Sequence, residues 1–391
     1  MQFIDINIQE IIEKKETFFM FASMKTAVVI LNWNTKEYLE RFLPGLIASM
    51  TEDSEVIVAD SASTDGSMEM LSEKFPEVKQ VRLDENYGFT GGYNRAFEAV
   101  CNLPEAKDLE YFILINSDIE VSPRWLEPLV EWMDTHPGCA ACAPKLHSWY
   151  DRDSFEYAGA AGGLIDKFGY PFCRGRVLKR LEKDNGQYDS PAKVFWATGA
   201  CLLVRKEEYS RMGGLDDRFF AHMEEIDLCW RLQLEGKEIE VVPESVVYHL
   251  GGGTLSNDSP WKLKLNYRNN LLMLDNNLAK TFALSLVPGN DPSKAAKRAC
   301  RKASRRLFQR KCLDICSAVV YLLTGKKDYF KSVSEAHREF RKMASGTDIE
   351  SIREFISSHE GIPAPELFPR WIVPLALIKG NGIFAYIRQK I

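Results

Sequence analysis

From Thr26 onward the chain alternates between two hydrophobic patterns. Residues 27–31, 55–59 and 111–115 are short, largely apolar runs, as expected of strands buried on both faces of a sheet, and residues 78–83 read as a further strand. Between them, residues 35–50 repeat apolar positions at helical spacing through Tyr38, Leu39, Phe42, Leu46 and Ile47. Residues 65–75, 91–100 and 125–135 read as further helices, the second entered through a glycine-rich turn and the third led by Ser122-Pro123. Strands alternating with helices predict an α/β fold with a mostly parallel sheet covered on both faces.

The pattern weakens over 139–175, where glycine rises. It then predicts a strand pair over 194–205, a helix over 206–212, a turn and amphipathic helix over 216–236, and a strand over 239–242. Beyond about Asn277 only helical periodicity remains, clearest over 293–323 and 327–343. This divides the chain into an N-terminal extension over 1–24, expected to be poorly ordered, an α/β domain over 25–277, and a helical C-terminal extension over 278–391.

Polar residues gather where the strands end. Asn32, Trp33 and Asn34 follow the first, Asp60 the second, the stretch from Asn86 to Gly92 the third, and Asp118 the fourth. Open α/β sheets bind ligands beyond the carboxyl ends of their strands, so four strands with polar ends on one rim predict a site there.

Composition narrows the class. Hydrophobic residues at 45% and charged residues at 27% are globular values, and a net charge of -5 argues against a general nucleic-acid binder. The 9 cysteines are scattered; Cys139 and Cys142 form a lone CxxC without a second pair and read as buried thiols in a reducing compartment. No stretch reaches the roughly 18–20 apolar residues of a membrane span, and the N-terminus lacks a signal-peptide pattern. A cytoplasmic protein is expected.

Four segments occur in order: Val-Ile-Leu-Asn-Trp-Asn (29–34), Val-Ala-Asp-Ser-Ala-Ser-Thr-Asp-Gly-Ser (58–67), Glu-Asn-Tyr-Gly-Phe-Thr-Gly-Gly-Tyr-Asn (85–94) and Leu-Ile-Asn-Ser-Asp (114–118). Thr198-Gly199-Ala200, the run from Phe219 to Arg231, and Val247-Tyr248-His249 follow. Together they resemble the family 2 glycosyltransferases, particularly their bacterial rhamnosyltransferase-like branch, over about residues 25–277. The resemblance implies a GT-A fold and an inverting, metal-dependent hexosyltransferase. Its donor would be a nucleotide diphosphate sugar and its acceptor a glycan or lipid-linked glycan of polysaccharide or cell-wall assembly.

By position, the resemblance assigns Asn32, Trp33, Asn34 and Asp60 to the base and ribose. Asn86, Gly88, Gly91 and Asn94 would line the donor pocket. Asp118 matches the last aspartate of the family's DxD motif, with Asn116 at its first position. Such a site would take Mg²⁺ or Mn²⁺, hard cations that bridge phosphate oxygens. His249 matches a histidine that completes metal coordination in this fold, and reads equally as a structural histidine. In the family's Glu-Asp-x-Asp segment the second acid is the usual base, which places that role on Glu225 ahead of Glu224. Asp227 belongs to the same cluster and, with Arg231, is expected to organise the helix around the base. On a helix, Glu224 and Asp227 share a face and Glu225 points elsewhere.

The C-terminal extension carries Lys294, Lys297, Arg298, Arg301, Lys302, Arg305, Arg306, Arg310 and Lys311 in one helical stretch that leads into apolar residues. Three readings are open: contact with an anionic membrane surface, a solvated face, or nucleic acid. The first is preferred, giving peripheral attachment to the cytoplasmic leaflet. Two rivals to the transferase reading are a non-catalytic donor-binding subunit of a glycan synthase complex and a sugar-phosphate nucleotidyltransferase. The latter needs a basic glycine-rich loop after the first strand, where this chain has Asn32-Trp33-Asn34-Thr35.

Overall fold

The structure is a computed structural model that describes residues 23–251, 259–286 and 291–390. Most of the expected N-terminal extension therefore lies outside the described residues. Met24 is buried, and its amide donates to Glu105 O at 3.0 Å.

The first half runs β1 (Thr26–Asn32), α1 (Lys36–Ala48), β2 (Ser54–Ser61), α2 (Ser67–Lys74), β3 (Lys79–Leu83), α3 (Gly88–Cys101), β4 (Tyr111–Ile115), β5 (Ile119–Val121), α4 (Leu126–Thr135) and β6 (Cys139–Ser148). Four short strands follow: β7 (Gly163–Ile165), β8 (Pro171–Cys173), β9 (Arg176–Val177) and β10 (Arg180–Leu181). Then come β11 (Ala192–Lys193), β12 (Cys201–Arg205), α5 (Lys206–Arg211), α6 (Glu224–Leu234) and β13 (Glu238–His249). The remainder is helical: α7 (Pro260–Leu286), α8 (Pro292–Leu323), α9 (Lys327–Met343), α10 (Ile349–Ser358), α11 (Ile372–Lys379) and α12 (Ile383–Arg388).

The main sheet has the order β11-β13-β6-β12-β4-β1-β2-β3, with β5 paired to β13. Strands β3, β2, β1 and β4 are mutually parallel, while β12 is antiparallel to both β4 and β6. Side chains along β1 alternate between two cores. Val28 and Ile30 pack with Leu39, Leu43 and Leu46 of α1; Ala27 and Val29 pack with Tyr93, Phe97 and Val100 of α3. Burial on both faces explains why β1, β2 and β4 read as largely apolar runs, whereas β3, at the end of the sheet order, is only partly buried and mixed in sequence. The arrangement is a GT-A-like Rossmann sandwich with a C-terminal helical extension, as the chain's patterning and its resemblance imply.

Three expectations change. The pair anticipated over 194–205 is one strand, β12, preceded by a loop through Thr198-Gly199, where Trp196 N donates to Gly163 O. The strand anticipated over 239–242 runs on to His249 past a register shift between Val241 and Val246. The boundary expected at Asn277 falls inside α7, which continues unbroken to Leu286. A second sheet, β10-β9-β8-β7, packs against α11 and α12 through Phe172, Phe368, Ile372 and Phe384.

Cys139 and Cys142 are buried, and burial pushes the Cys139 thiol up to about 12, in keeping with a structural role. Among the described residues, no helix is long and apolar enough to cross a membrane.

Candidate functional site

Parallel register brings the rim together. Asn32 ends β1 opposite Asp60 at the end of β2, and β4 lies on the other side of β1. Asn32 Nδ2 donates to Asp60 Oδ1 at 2.6 Å, and Asn32 Oδ1 accepts from the Thr35 hydroxyl at 2.6 Å. Asn32 is fully buried, so the expected base or ribose contact is corrected: it ties two loops beneath the site. Asp60 accepts from Asn32 and from Ser63 N while keeping lone pairs for a ligand. Trp33 and Asn34 are exposed on this rim, Asn34 in a left-handed conformation at φ 54.

The turn after β4 carries Asn116, partly exposed, and Asp118, buried. Pairing of β5 with β13 sets His249 opposite Ile119, one residue from Asp118. His249 Nε2 lies 3.2 Å from Asp118 Oδ1, and its Nδ1 lies 3.2 Å from Glu156 Oε2. The second approach lacks hydrogen-bond geometry, leaving Nδ1 without a bonded partner. Burial opposes charge on this ring, but Asp118 and Glu156 outweigh it and raise its pKa to about 10. Burial likewise opposes ionisation of Asp118, and His249 wins, holding that carboxyl below its usual range.

This donor set suits a hard divalent ion. Two ligands in adjacent corners of an octahedron at ~2.1 Å from the metal stand ~3.0 Å apart, close to the Asp118–His249 spacing. Among the described residues no cluster of three His, Cys, Asp or Glu side chains has metal-holding geometry. The protein would thus supply two ligands, and phosphate and water the others, as is usual for Mg²⁺ at phosphate sites. Glu156, which the sequence pattern did not single out, would orient His249 from behind.

The acidic cluster opens α6. The loop before it is strained: Phe220, His222 and Met223 have φ of 64, 72 and 73, a region that L-residues avoid. Asn269 of α7 holds it, its Nδ2 donating to Phe219 O at 2.9 Å, Ala221 O at 2.7 Å and His222 O at 2.8 Å. Arg268 Nη2 adds a bond to Phe219 O at 2.7 Å. From the other side, Phe89 N and Thr90 N donate to Phe220 O at 2.7 and 3.2 Å. A Cβ on Gly88 would stand 2.6 Å from that same oxygen, so the close approach this glycine permits is to Phe220, correcting its assignment to the donor pocket. Gly91 is likewise packed against protein, beside Tyr87 and Arg95.

Asn94 is also corrected. Its amide donates to Leu215 O and Asp217 Oδ1, and its oxygen accepts from the Tyr209 hydroxyl and Leu215 N, which uses its full capacity inside the protein. Asn86 Oδ1 caps Gly88 N at 2.9 Å, and the residue remains partly open.

The three acids of α6 separate by environment. Asp227 is fully buried and accepts from Arg231 Nε at 2.7 Å, Asn276 Nδ2 at 3.0 Å and Asn277 Nδ2 at 2.8 Å. It anchors α6 to α7 and is removed from the catalytic candidates, in line with its expected organising role. Glu224 is buried with Oε2 unpartnered; burial, then repulsion from Glu225, keeps its pKa well above the usual carboxylate range. Glu225 is partly exposed, and desolvation raises its carboxyl to about 7. Its Cβ faces Gly199, where an added Cβ would lie at 3.6 Å, and the next carbonyl, Ala200 O, accepts from Asn116 N at 3.0 Å. This seats Glu225 beside the turn carrying Asp118. Asp60 stands two strands away, roughly 10 Å at ordinary strand spacing.

His222 went unremarked in the sequence beside the acids. Burial, then the charge of Lys262, depresses its pKa to about 4, so the ring is neutral, with Nε2 unpartnered.

Residues 27–206 match the family model described as glycosyl transferase family 2. Among curated proteins, the chain is 26% identical to an N-acetylglucosaminyl-diphospho-decaprenol L-rhamnosyltransferase of Mycobacterium tuberculosis, over 63% of this chain and 83% of that protein. It is 23% identical to the rhamnosyltransferase WbbL of Escherichia coli, over 62% of this chain and 90% of that protein. Among solved structures, the mannosyltransferase PcManGT of Pyrobaculum calidifontis in complex with GDP-Man and Mn²⁺ is 13% identical, with a TM-score of 0.43, covering 90% of this chain and 93% of that one.

Proposed function

We propose that this chain, built on the family 2 glycosyltransferase fold, is an inverting transferase. It moves a hexose from a nucleotide diphosphate sugar to a hydroxyl of a glycan or lipid-linked acceptor in polysaccharide or cell-wall assembly. The observation that carries the reading is Glu225: a carboxylate with its pKa raised to about 7, set beside the Asp118 turn at the rim of a nucleotide-binding type of sheet.

A general base works best when its pKa lies near the operating pH. Glu225 takes the proton of the acceptor hydroxyl as that oxygen bonds to the anomeric carbon. The bond from this carbon to the diphosphate oxygen breaks, and the nucleoside diphosphate departs with the electron pair. One base and no protein nucleophile make a single displacement, which inverts the anomeric centre. Asp118 and His249 would hold a divalent cation, which when bound supplies positive charge for the diphosphate. Trp33, Asn34 and Asp60 suit the nucleoside, and Asn116 the sugar side of the donor. The names of the two curated relatives support a deoxyhexose donor, and that of the Mycobacterium tuberculosis protein a polyprenyl diphosphate-linked acceptor.

A panel of nucleotide sugars, scored for nucleoside diphosphate release with Mn²⁺, Mg²⁺ or chelator, tests the reading. Release that depends on acceptor and cation and is abolished in Glu225→Gln is expected. Full release by Glu225→Gln would refute the assignment of the base.

A further inference from the structure

One face of α8 is left uncovered by the other described residues. Followed in steps of three and four residues, it presents Lys294, Lys297, Arg301 and Arg305, then Phe308, Cys312, Ile315, Val319 and Leu322, every one exposed. The opposite face, through Ala295, Ala299, Ala303 and Ala318, is buried. At 1.5 Å per residue the helix is ~48 Å long, so its outer surface is basic over one half and apolar over the other. Phe308 is 67% exposed and Leu323, at the apolar end, 81%.

The single carboxylate of α8, Asp314, is buried and paired with Arg310 at 2.8 Å and with His337 at 3.3 Å. The outer face therefore carries no negative charge. Among the described residues, Lys294, Lys297, Arg301 and Arg305 have no carboxylate within ion-pair distance. Beside the apolar half, a groove of about 500 Å³ opens between α8 and α9, floored by Ile315, Val319, Phe330 and Val333, with Lys311 and Arg341 lining it.

We propose that this face is a docking surface for an anionic phospholipid bilayer, with the apolar half entering between headgroups and the basic half lying on their phosphates. A purely solvated helix has no use for five apolar positions in register, and a nucleic-acid backbone has no partner for them. A second copy fits poorly: antiparallel pairing would set basic halves against apolar ones, and parallel pairing would set basic halves against each other. The face combines the two forces that hold interfacial helices, apolar insertion and attraction of cations to anionic headgroups, but sets them end to end along the helix. The inference bears on the transferase reading only through the acceptor it would bring within reach, since binding itself needs neither donor nor catalysis.

Flotation of the full chain with vesicles of phosphatidylcholine, alone or mixed with phosphatidylglycerol, tests the proposal. Binding to the anionic mixture at low salt, weakened by high salt, is expected. Each basic residue at an anionic surface contributes roughly fivefold in partitioning, so Lys297→Glu with Arg301→Glu should weaken binding by roughly 25-fold or more. Phe308→Ser with Val319→Ser should weaken it too, with an unchanged melting temperature in both double variants. Absence of wild-type flotation at low salt, or equal flotation of wild type and both variants, overturns the proposal. So does a dimer in sedimentation that Phe308→Ser dissolves, which would assign the face to a second copy. Nucleoside diphosphate release with a soluble acceptor and no vesicles should be unaltered in these variants, so failure of docking and failure of the transferase reading are told apart.

Discussion

His249 Nε2 stands 3.2 Å from Asp118 Oδ1, the two residues being brought together by antiparallel pairing of β5 with β13 and by the bond from Leu250 N to Asp118 O at 3.0 Å. If this pair holds a divalent ion, Asp118→Ala and His249→Ala should each abolish cation-dependent donor binding, measured by Mn²⁺ titration in the presence of a nucleoside diphosphate. Glu156→Gln should weaken Mn²⁺ about 10–100-fold while leaving the rate at saturating Mn²⁺ much less affected, because Glu156 acts through the histidine ring.

Glu225 predicts a pH profile. The base works deprotonated, so kcat/KM should rise with pH through about 7, and Glu225→Gln should remove activity along with that limb. A profile flat from pH 5.5 to about 9 would be incompatible with this assignment.

Glu224 predicts a stability effect of opposite sense to most buried-site substitutions. Its folded pKa is raised, so the unfolded chain releases this proton first as pH climbs past the ordinary value of 4.5. The contribution to stability is fully present below that value and declines above it. Glu224→Gln, which keeps the shape and removes the titration, should raise the melting temperature relative to wild type at pH 8 and match it near pH 4.

Asn269 predicts a coupled loss. Asn269→Ala removes an amide whose two N–H groups serve three carbonyls of a strained loop, at about 1 kcal/mol per N–H and about 2 kcal/mol in all by urea unfolding. If Glu225 is the base, residual folded protein should show a larger fall in kcat than in KM for the donor, since this loop leads into it.

Gly88 predicts a steric one. Gly88→Ala combines φ 71 with a Cβ 2.6 Å from Phe220 O, and should cost about 2 kcal/mol or more in thermal or urea melts.

The inner parallel strands β1, β2 and β4 were legible because burial on both faces writes itself as largely apolar runs. The helix that opens with Glu224 and Glu225 was legible through its aromatic-acidic string. Glu156, by contrast, sits in the glycine-rich stretch after β6, where neither periodicity marks an element; only its 3.2 Å approach to His249 draws it to the site. Asn32 and Asn94 look like ligand contacts along the chain, since a polar residue at a rim reads alike whether it faces a ligand or the protein. Their bonding is set by residues 28 and more than 100 positions away, which no local pattern encodes. The long reach of β13 was hidden by Pro243 and the register shift around it.

The hold that α7 keeps on the base loop has a consequence for synthesis. When translation has delivered the chain only to His249, every strand of the main sheet exists, yet the carbonyls of Phe219, Ala221 and His222 still await an amide that has not been made. The sheet is thus complete in sequence before the anchor of the Glu225 loop, and a chain cut after His249 would keep every strand of the main sheet while losing the amide that holds that loop.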